Sequence, residues 1–224
     1  CTGMILEVRA GAPFFENGCV VGCERTREAV IIDPGDETAG LLAAVRDHGL
    51  EVGHVLLTHA HIDHITGVAL VKDVLDVPVY LHEDDRPLYE HAVEQGEMFG
   101  LKVVQPPPVD AYYDMSRICF GDYEVGVHHT PGHSPGGVCL EIRKKDEANA
   151  DLFVGDTLFA GSVGRSDLPG GNHNVLMQSI TDVLFSLGDE ATVHPGHGPD
   201  TTIGHERQTN PFVLEYLAGR MATS

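Results

Sequence analysis

The sequence predicts a single domain of the α/β class, and three observations support this prediction. Apolar segments typical of buried strands are mixed with segments of helical periodicity, without the strict βαβ repetition of a fully parallel sheet. The chain has 224 residues, 42% of them hydrophobic, which suits one domain with a large core. No linker, repeat or low-complexity tract divides it. We therefore expect one domain over residues 4–224, with Met4 as the natural start and residues 1–3 as an added remnant.

Each element is predicted from its local pattern. Strands are expected where apolar and β-branched residues are bounded by turn residues, and helices where apolar residues recur every three or four positions. The predicted strands are 4–10, 19–22, 29–36, 52–59, 77–82, two within 117–133 on either side of Gly121-Asp122, 137–143, 151–159 and 191–197. The predicted helices are 37–50, 65–76, 85–100, 174–187 and 205–219, the last with a break before Pro211.

The charge pattern argues against several classes of partner. Lys and Arg number 14 against 34 Asp and Glu, which gives a formal net charge of −20. The longest basic run, Arg143-Lys144-Lys145, is followed at once by two acidic residues, whereas nucleic-acid binding requires clustered cations. No apolar segment reaches the length of a membrane span. We therefore expect a protein that binds neither nucleic acid nor membranes.

The five cysteines are odd in number and widely spaced, which favours free thiols over a disulfide framework. Cys19 and Cys23 lie four residues apart in an apolar segment, so on a strand they would share one buried face. The first residues also lack the pattern of a signal peptide. We expect a location in the reducing cytoplasm.

Three histidines and an aspartate lie within the segment THAHIDH, residues 58–64, of a chain with 14 His in all. A helix would place His59 and His61 about 200° apart, because each residue turns a helix by about 100°. An extended strand would put positions 59, 61 and 63 on one side and His64 on the other. We therefore expect a strand-end loop that wraps these side chains around a metal, since imidazole and carboxylate ligands suit Zn, Fe or Mn.

Further ligands are expected at other strand ends. His133 follows a predicted strand in HTPGHSPGG, Asp156 ends the strand LFVGD, and His197 follows a strand and a Pro-Gly turn in VHPGHGP. His194 is the nearest rival to His197, but it lies within the strand pattern and lacks the turn that would direct it toward a site. A single histidine after a strand is usually structural, whereas four strand-end loops that each offer His or Asp predict a metal site.

The motifs THAHIDH, TPGHS, GDTLF and PGHG occur in the order of the ligand motifs of the metallo-β-lactamase-fold hydrolases, and the chain resembles that family from Met4 onward. The segments GDTLFAGSVGRSDLPGG and PFFENGCVV are similar to the glyoxalase II-like branch, the hydroxyacylglutathione hydrolases, and to its short single-domain bacterial members. The resemblance implies a four-layer αβ/βα sandwich, in which two sheets pack face to face, helices cover the outside, and metals lie at one edge.

The resemblance also implies a role for each candidate ligand. Two sets of three side chains would each hold one ion, and a seventh side chain would bridge the ions: His59, His61 and His133; Asp63, His64 and His197; and Asp156. We expect two divalent ions, Zn in the first place, with Fe or Mn as alternatives. Asp63 is expected to act in catalysis as well, by orienting a metal-activated water.

A thioester of the S-2-hydroxyacylglutathione type is the small-molecule substrate that the resemblance implies. Arg165, in SVGRSD, occupies the place of a cation that would bind the carboxylate of the thiol, and an ion pair with Asp167 is the alternative. The family's larger enzymes have an aromatic residue at the position of Asp167. This departure leaves the thiol carrier open.

Other functions of the same scaffold remain as alternatives. The persulfide dioxygenases use one iron, and the segment HITG resembles theirs, but LPGG and GHGP stand where they typically have FQQG and AHDY. Lactone or β-lactam hydrolysis would use the same ligands. A purely structural metal site would be closed and usually rich in Cys, and a nuclease of this superfamily would need a cationic track.

Overall fold

Two six-stranded β-sheets form the centre of the computed structural model, which describes residues 3–114 and 116–222. In spatial order, the first sheet contains β1 (Met4–Arg9), β2 (Gly18–Cys23), β3 (Glu28–Ile32), β4 (Glu51–Leu56), β5 (Val79–Leu81) and β6 (Ala111–Tyr112). The second contains β14 (Thr201–Thr202), β13 (Thr192–Pro195), β10 (Ala150–Gly155), β9 (Val138–Lys144), β8 (Tyr123–His129) and β7 (Ile118–Phe120). A small separate hairpin pairs β11 (Leu158–Phe159) with β12 (Ser162–Val163).

The strand directions bring the carboxyl ends of several strands to one edge of the sandwich. In the first sheet, β3, β4, β5 and β6 are parallel, and β1, β2 and β3 are paired antiparallel. In the second sheet, β10 is parallel to β13 and antiparallel to β9, which is itself antiparallel to β8. The strands β8, β10 and β13 therefore run in one direction, and their carboxyl ends meet at the same edge.

Helices cover the outer face of each sheet. They are α1 (Thr38–Asp47), α2 (Ile62–Ile65), α3 (Val68–Leu75), α4 (Arg86–Glu90), α5 (Ala92–Met98), α6 (His173–Gln178), α7 (Ile203–Thr209) and α8 (Pro211–Ala222). One apolar cluster joins the first sheet to α1 and α3, and another joins the second sheet to α6 and α8. A third cluster, with Val21, Ile32, Leu140 and Phe153, fills the space between the sheets. These three cores separate four layers, as expected.

Some predicted elements are divided in the structure. The helix expected at 85–100 is interrupted at His91, whose backbone is not helical and whose Nδ1 donates to the Pro87 carbonyl over 2.7 Å. The strand expected at 151–159 is broken at Gly155, which adopts φ +53° and turns the chain out of the sheet. The segment 174–187 is helical throughout, but it changes from α to π and then to 3-10 geometry. The strands β6, β12 and β14 are too short to be predicted from alternation.

The structure tests the expectation for the cysteines but not the one for the start of the chain. Cys19 and Cys23 lie on one face of β2 in the core between the sheets, and both thiols are free. Residues 1 and 2 of the expected remnant lie outside the described residues, so this expectation stays a prediction. In the described part of the chain, no helix combines the length and apolar character needed to cross a membrane.

Candidate metal centre

The predicted ligands meet at the edge where the strands end. The segment after β4 carries His59 and His61 in a loop, whereas Asp63 and His64 lie in the single-turn helix α2. The expectation that one irregular loop would carry all four is therefore wrong in part. The helical turn places Asp63 and His64 with their ligand atoms within 4.8 Å of one another.

The first ligand group consists of His59, His61 and His133, all buried. One ring nitrogen from each lies within 4.8 Å of the others. His61 Nδ1 and His133 Nε2 are only 2.8 Å apart. Nitrogens that each present a lone pair at this separation are a suitable arrangement for binding one cation.

The second ligand group consists of Asp63, His64, Asp156 and His197, again with their ligand atoms within 4.8 Å of one another. His197 Nε2 lies 3.0 Å from Asp63 Oδ2, and His64 Nε2 lies 3.3 Å from Asp156 Oδ1. Asp156 Oδ2 is 3.5 Å from both His133 Nε2 and His197 Nε2. Asp156 therefore lies between the two groups, in the position of a bridging carboxylate.

A metal ion fits these residues on a criterion independent of spacing. Buried polar atoms in proteins are ordinarily hydrogen-bonded. His59 Nε2, His64 Nε2 and Asp156 Oδ1 are buried ligand atoms with no hydrogen-bond partner. Each of these atoms can donate a lone pair to a metal ion. The three atoms belong to both ligand groups. The seven residues are called the metal centre below.

The electrostatics of the metal centre favour the metal-binding protonation states of His59, His61 and Asp156. Burial, with the neighbouring histidines, lowers the pKa of His59 well below its usual value and that of His61 to about 3, so both rings are neutral at pH 7. Burial raises the pKa of Asp156, but the charge of His64 outweighs it and the net shift is downward. Neutral imidazoles and ionised carboxylates are the forms that coordinate metals. In the second ligand group, burial opposes the charged form of His64, but the charges of Asp63 and Asp156 outweigh burial and raise its pKa, so that ring must release a proton when a metal binds.

Three of the ligand histidines are oriented by hydrogen bonds from their other ring nitrogen. His59 Nδ1 lies 3.1 Å from Thr58 Oγ1, and His64 Nδ1 donates to Asp33 Oδ2 over 2.8 Å. His133 Nδ1 donates to the main-chain carbonyl of Arg165 over 2.7 Å. Such partners determine the tautomer and hold the free nitrogen in place.

Asp85 is hydrogen-bonded to two of the loops that carry ligands. This fully buried carboxylate accepts hydrogen bonds from the Ala60 amide at 2.9 Å, from Ser134 Oγ at 2.8 Å and from the Gly136 amide at 2.5 Å. Ala60 lies between His59 and His61, and Ser134 follows His133. One carboxylate thus positions the whole first ligand group.

Gln95 and Asn17 restrain the other parts of the metal centre. Gln95 Nε2 donates to the Ala60 carbonyl at 2.9 Å, and its Oε1 accepts from the Ile62 amide at 3.1 Å, so it holds the chain on both sides of His61. Asn17 Nδ2 donates to the Pro195 and Gly198 carbonyls, which flank His197.

These supporting residues were missed in the sequence, for different reasons. Asp33 ends a strand before a Pro-Gly turn, and the strand-end criterion that selected Asp156 would have found it. Asp85 lies in the acidic run HEDD, and no pattern distinguishes it from its exposed neighbours. Gln95 lies within a predicted helix and carries no signal of its own.

The rival histidines lie away from the metal centre. His194 is held by Asp151 at 2.8 Å and Asp200 at 3.0 Å, on a strand face that does not reach it. His82 and His129 stack with parallel rings, 4.1 Å apart. With Asp84 they form another small His/Asp cluster, which is largely exposed.

A cavity of about 450 Å³ opens beside the metal centre, and its wall includes His61, Asp63, His133, Asp156 and His197. Arg165 also lines this cavity, as the resemblance implied. Its guanidinium, however, makes a two-point ion pair with Asp167, at 2.7 and 2.9 Å. Arg165 therefore lies at the cavity and is also ion-paired with Asp167, so both alternatives predicted for it occur together.

The sequence comparisons agree with this geometry. A family model of the metallo-beta-lactamase superfamily matches residues 13–197. A probable metallo-hydrolase of Bacillus subtilis, YqgX, is 35% identical over 83% of this chain and 87% of its own. The hydroxyacylglutathione hydrolase GloC of Haemophilus influenzae is 33% identical over 89% of this chain and 93% of its own.

Solved structures with the same fold extend the comparison. The B3 metallo-beta-lactamase BLEG-1 is 37% identical, with a TM-score of 0.84, over 93% of this chain and 99% of its own. TTHA1623, described in a di-iron-bound form, is 44% identical, with a TM-score of 0.79, over 92% and 99%. ETHE1 from Myxococcus xanthus is 28% identical, with a TM-score of 0.73, over 95% and 85%. From its ligand geometry, its fold and these similarities, the chain belongs to the metallo-β-lactamase superfamily and is a metallo-hydrolase.

Proposed function

We propose that the protein is a dinuclear metal-dependent hydrolase that cleaves thioesters of the S-2-hydroxyacylglutathione type. The observation that carries this proposal is the placement of Asp156 between two complete ligand groups, at the inner end of a cavity. Two divalent ions bound there would supply a nucleophile from water at neutral pH. We propose Zn for both positions, with iron or manganese as alternatives, since TTHA1623 is described as di-iron-bound.

Asp63 has two tasks in this proposal. It belongs to the second ligand group, with Oδ2 3.0 Å from His197 Nε2, and it also lines the cavity. A carboxylate at that place can accept a hydrogen bond from the attacking water and direct its lone pair toward a carbonyl. Before metal binds, the charge of His64 and the hydrogen bond from His197 outweigh burial and lower the pKa of Asp63, so this group is already ionised when a metal reaches it.

The leaving group is the reason for proposing a thioester. Among the described residues that line the cavity, every His and Asp is a member of the metal centre. No separate general acid is therefore available there to protonate a departing group. A thiolate, whose conjugate acid has a pKa of about 8.5, leaves without such assistance, whereas an amine or alkoxide requires a proton.

A second candidate function has specific support from one comparison. BLEG-1, which is described as a B3 metallo-beta-lactamase, has the highest TM-score of the structures compared above. Hydrolysis of a β-lactam or a lactone would use the same metal centre. It would, however, require a proton for the departing nitrogen or oxygen from outside the described cavity wall.

The persulfide dioxygenase alternative is weakened by the second ligand group. ETHE1 shares the fold, and one iron would need only one set of ligands. Here Asp63, His64 and His197 converge as closely as the first group does. We therefore propose two ions rather than one.

The proposal is tested with a substrate panel and elemental analysis on the same metal-replete sample. The panel contains S-lactoylglutathione, a simple acyl thioester, a lactone and a β-lactam. We expect two metal ions per chain and the highest kcat/KM for a thioester. One iron per chain with oxygen uptake on glutathione persulfide would instead assign a dioxygenase. Turnover of the β-lactam alone would favour the second candidate.

The setting of this activity is part of the proposal. The buried free thiols of Cys19 and Cys139 fit the reducing cytoplasm. The acidic chain favours a small-molecule substrate over nucleic acid or an anionic membrane.

A further inference from the structure

We infer that the cavity selects uncharged thioesters with an apolar acyl chain, and that Asp167 reduces the affinity for substrate carboxylates by occupying Arg165. This inference rests on the proposed metal-dependent thioester hydrolysis, and it shifts the preferred substrate from glutathione thioesters, which are anionic, to uncharged thioesters. It follows from the apolar side chains of the cavity wall, from the exposed side chains at its mouth, and from the ion pair between Arg165 and Asp167.

The wall beyond the metal centre is mostly apolar, with Gln95, Ser162 and Arg165 as its polar members. Apolar side chains come from the loop after β1, from α4 and α5, and from the segment that follows β10: Phe14, Leu88, Met98, Phe99, Phe159 and Leu168. A cavity of about 450 Å³ lies within the range typical of small-molecule sites. Polar groups are concentrated at the metal centre and apolar groups elsewhere, so the reacting carbonyl would lie at one end and a hydrocarbon group along the wall.

Several of these apolar side chains remain exposed in the structure. Met98 is 65% exposed and Phe99 is 44% exposed, and the adjacent Phe15 is 61% exposed. Phe14 and Phe99 meet edge to face with ring centroids 5.4 Å apart, which joins two separate segments at the mouth. A cluster of large apolar groups beside a cavity marks a site where a ligand covers them, because their exposure to water is unfavourable.

Apart from the proposed metal ions, the described wall offers a substrate carboxylate one cationic side chain, and that side chain is already paired. Arg165 is the only Lys or Arg among the described residues of the wall. Asp167 accepts hydrogen bonds from both Nε and Nη2 of Arg165, in the two-point geometry that a substrate carboxylate would otherwise use. A carboxylate of glutathione must therefore displace Asp167, whereas an uncharged substrate need not.

The acyl group is the part of the substrate assigned to the wall. The acyl carbon and the thiol sulfur are both bonded to the scissile carbonyl, so both begin beside the metal ligands. We assign the acyl chain to the wall because it is hydrocarbon from its first atom, and the thiol carrier to the mouth, where its polar groups can stay in solvent.

A series of acyl thioesters tests the assignment with the metal-replete protein. The substrates are S-acetyl-, S-butanoyl- and S-hexanoyl-N-acetylcysteamine, compared with S-lactoylglutathione. We expect kcat/KM to rise about fourfold for each added methylene, the value that corresponds to about 0.8 kcal/mol of burial. A flat or falling series overturns the inference. A second series, lactoyl thioesters of alkanethiols of increasing length, varies the thiol instead. If kcat/KM depends on chain length only in this second series, the wall holds the thiol and the acyl assignment is wrong.

Matched methionine variants test the wall itself. Met98→Gln keeps the length of the side chain but makes it polar, and it should reduce the ratio of hexanoyl to acetyl kcat/KM severalfold. Met221→Gln changes a comparably exposed methionine on α8, at 75% exposure and away from the cavity, and should leave the ratio unchanged. Equal ratios in the two variants would remove Met98 from the substrate site.

Asp167→Asn tests the charge argument, because it removes the negative charge and one of the two acceptors that hold Arg165, without a change in size. We expect KM for S-lactoylglutathione to fall by about threefold to fivefold relative to KM for the hexanoyl thioester, as for an exposed ion pair. An unchanged KM ratio would show that Asp167 does not set the preference.

Binding separates a failure of this inference from a failure of the proposed function. If the metallated protein cleaves no thioester, the proposed function is wrong. Non-cleavable S-ethyl-, S-butyl- and S-hexyl-N-acetylcysteamine thioethers are then titrated by calorimetry. Affinity that rises with chain length, and that Met98→Gln reduces, supports the apolar site independently of hydrolysis. Affinity independent of chain length overturns it.

Discussion

At the scale of single residues, several ligands are positioned by partners outside the metal centre. The Asp33 carboxylate accepts hydrogen bonds from the Thr58 amide at 2.7 Å and from the His64 ring at 2.8 Å. It therefore connects the start of the ligand loop to the second ligand group. Because burial leaves these groups no water to exchange with, a lost partner is expected to reduce metal affinity about 10- to 100-fold.

Asp156→Asn tests the bridging role. An amide keeps the size of the side chain but cannot place a negative oxygen toward each ligand group. We expect the variant to lose metal and hydrolase activity together, measured by elemental analysis and by kcat/KM for the best substrate of the panel on the same sample. A variant that retained two ions and full activity would contradict a bridging Asp156.

Asp85→Asn tests the connection between the two ligand loops. Its oxygens face three donors, so an amide NH2 group there would meet another donor and leave buried polar groups unpaired, at a cost of about 1–3 kcal/mol. We expect a lower melting temperature and weaker metal binding, measured by calorimetry.

Asp84→Asn is the matched control for this change, since the Asp84 side chain is 57% exposed. It should leave both melting temperature and metal affinity near the wild-type values. If the two variants behaved alike, Asp85 would not position the ligand loops.

At the scale of elements, the ends of the strands are shaped by close backbone approaches. A Cβ at Gly164 would overlap the main-chain carbonyl of Asp156, and one at Gly196 would overlap the Asp156 carboxylate. The turn after β10 can therefore present Asp156 only if the neighbouring segments have no side chain at these positions.

Gly164→Ala should displace the Asp156 turn, because the overlapping atom is backbone and cannot rotate away. We expect metal content and activity to fall, measured on purified protein. Gly219→Ala, in α8 with no atom within 4 Å of the added Cβ, is the control and should stabilise the helix by about 1 kcal/mol. Full activity in Gly164→Ala would contradict the close approach.

The pairing of β8 with β9 predicts a pH effect away from the metal centre. The hydrogen bond from His128 at 2.8 Å, together with Arg143, lowers the pKa of Glu141 from 4.5 to about 2. Because the folded pKa is depressed, this stabilisation is present above pH 4.5 and is lost as the pH falls toward 2.

Glu141→Gln should therefore reduce the loss of stability between these pH values, by about 1 kcal/mol after allowance for solvent screening. The measurement is the free energy of unfolding of the chelated wild-type and variant proteins, so that metal release contributes to neither. Parallel pH profiles for the two proteins would contradict the prediction.

At the scale of the whole molecule, the metal centre joins the two sheets. His59, His61, Asp63 and His64 follow β4 of the first sheet, whereas His133, Asp156 and His197 follow strands of the second. Ions bound between them would cross-link the halves of the sandwich at one edge. Ligands that bind only the folded state stabilise it by mass action.

Removal of metal should therefore lower the melting temperature of the whole protein, and not only abolish activity. Free metal at about 1,000 times its dissociation constant would contribute about 4 kcal/mol. Calorimetry before and after chelation measures the effect, and the Asp156→Asn variant should respond much less. Equal melting temperatures with and without metal in the wild type would contradict a cross-linking role.

Local pattern was enough to predict most elements and to select the seven candidate ligands, whose side chains the structure brings together at one edge; metal binding by them stays a prediction. Apolar runs and helical periodicity depend only on residues that are close in sequence, so β2, β4 and α1 could be predicted directly. Strand-end motifs such as THAHIDH and LFVGD carry their ligands within a few residues, and the family resemblance grouped them. The sequence also marked Arg165 and its alternative partner Asp167.

The tertiary structure decided what depends on contacts between distant segments. It placed Asp85 beneath two ligand loops separated by more than 70 positions, and it joined Phe14 to Phe99 at the mouth of the cavity. It also divided the helix around His91 and broke the strand at Gly155. The physical reason is that periodicity reports which face of an element is buried, whereas hydrogen-bond partners and cavity walls are determined only when separate elements pack together.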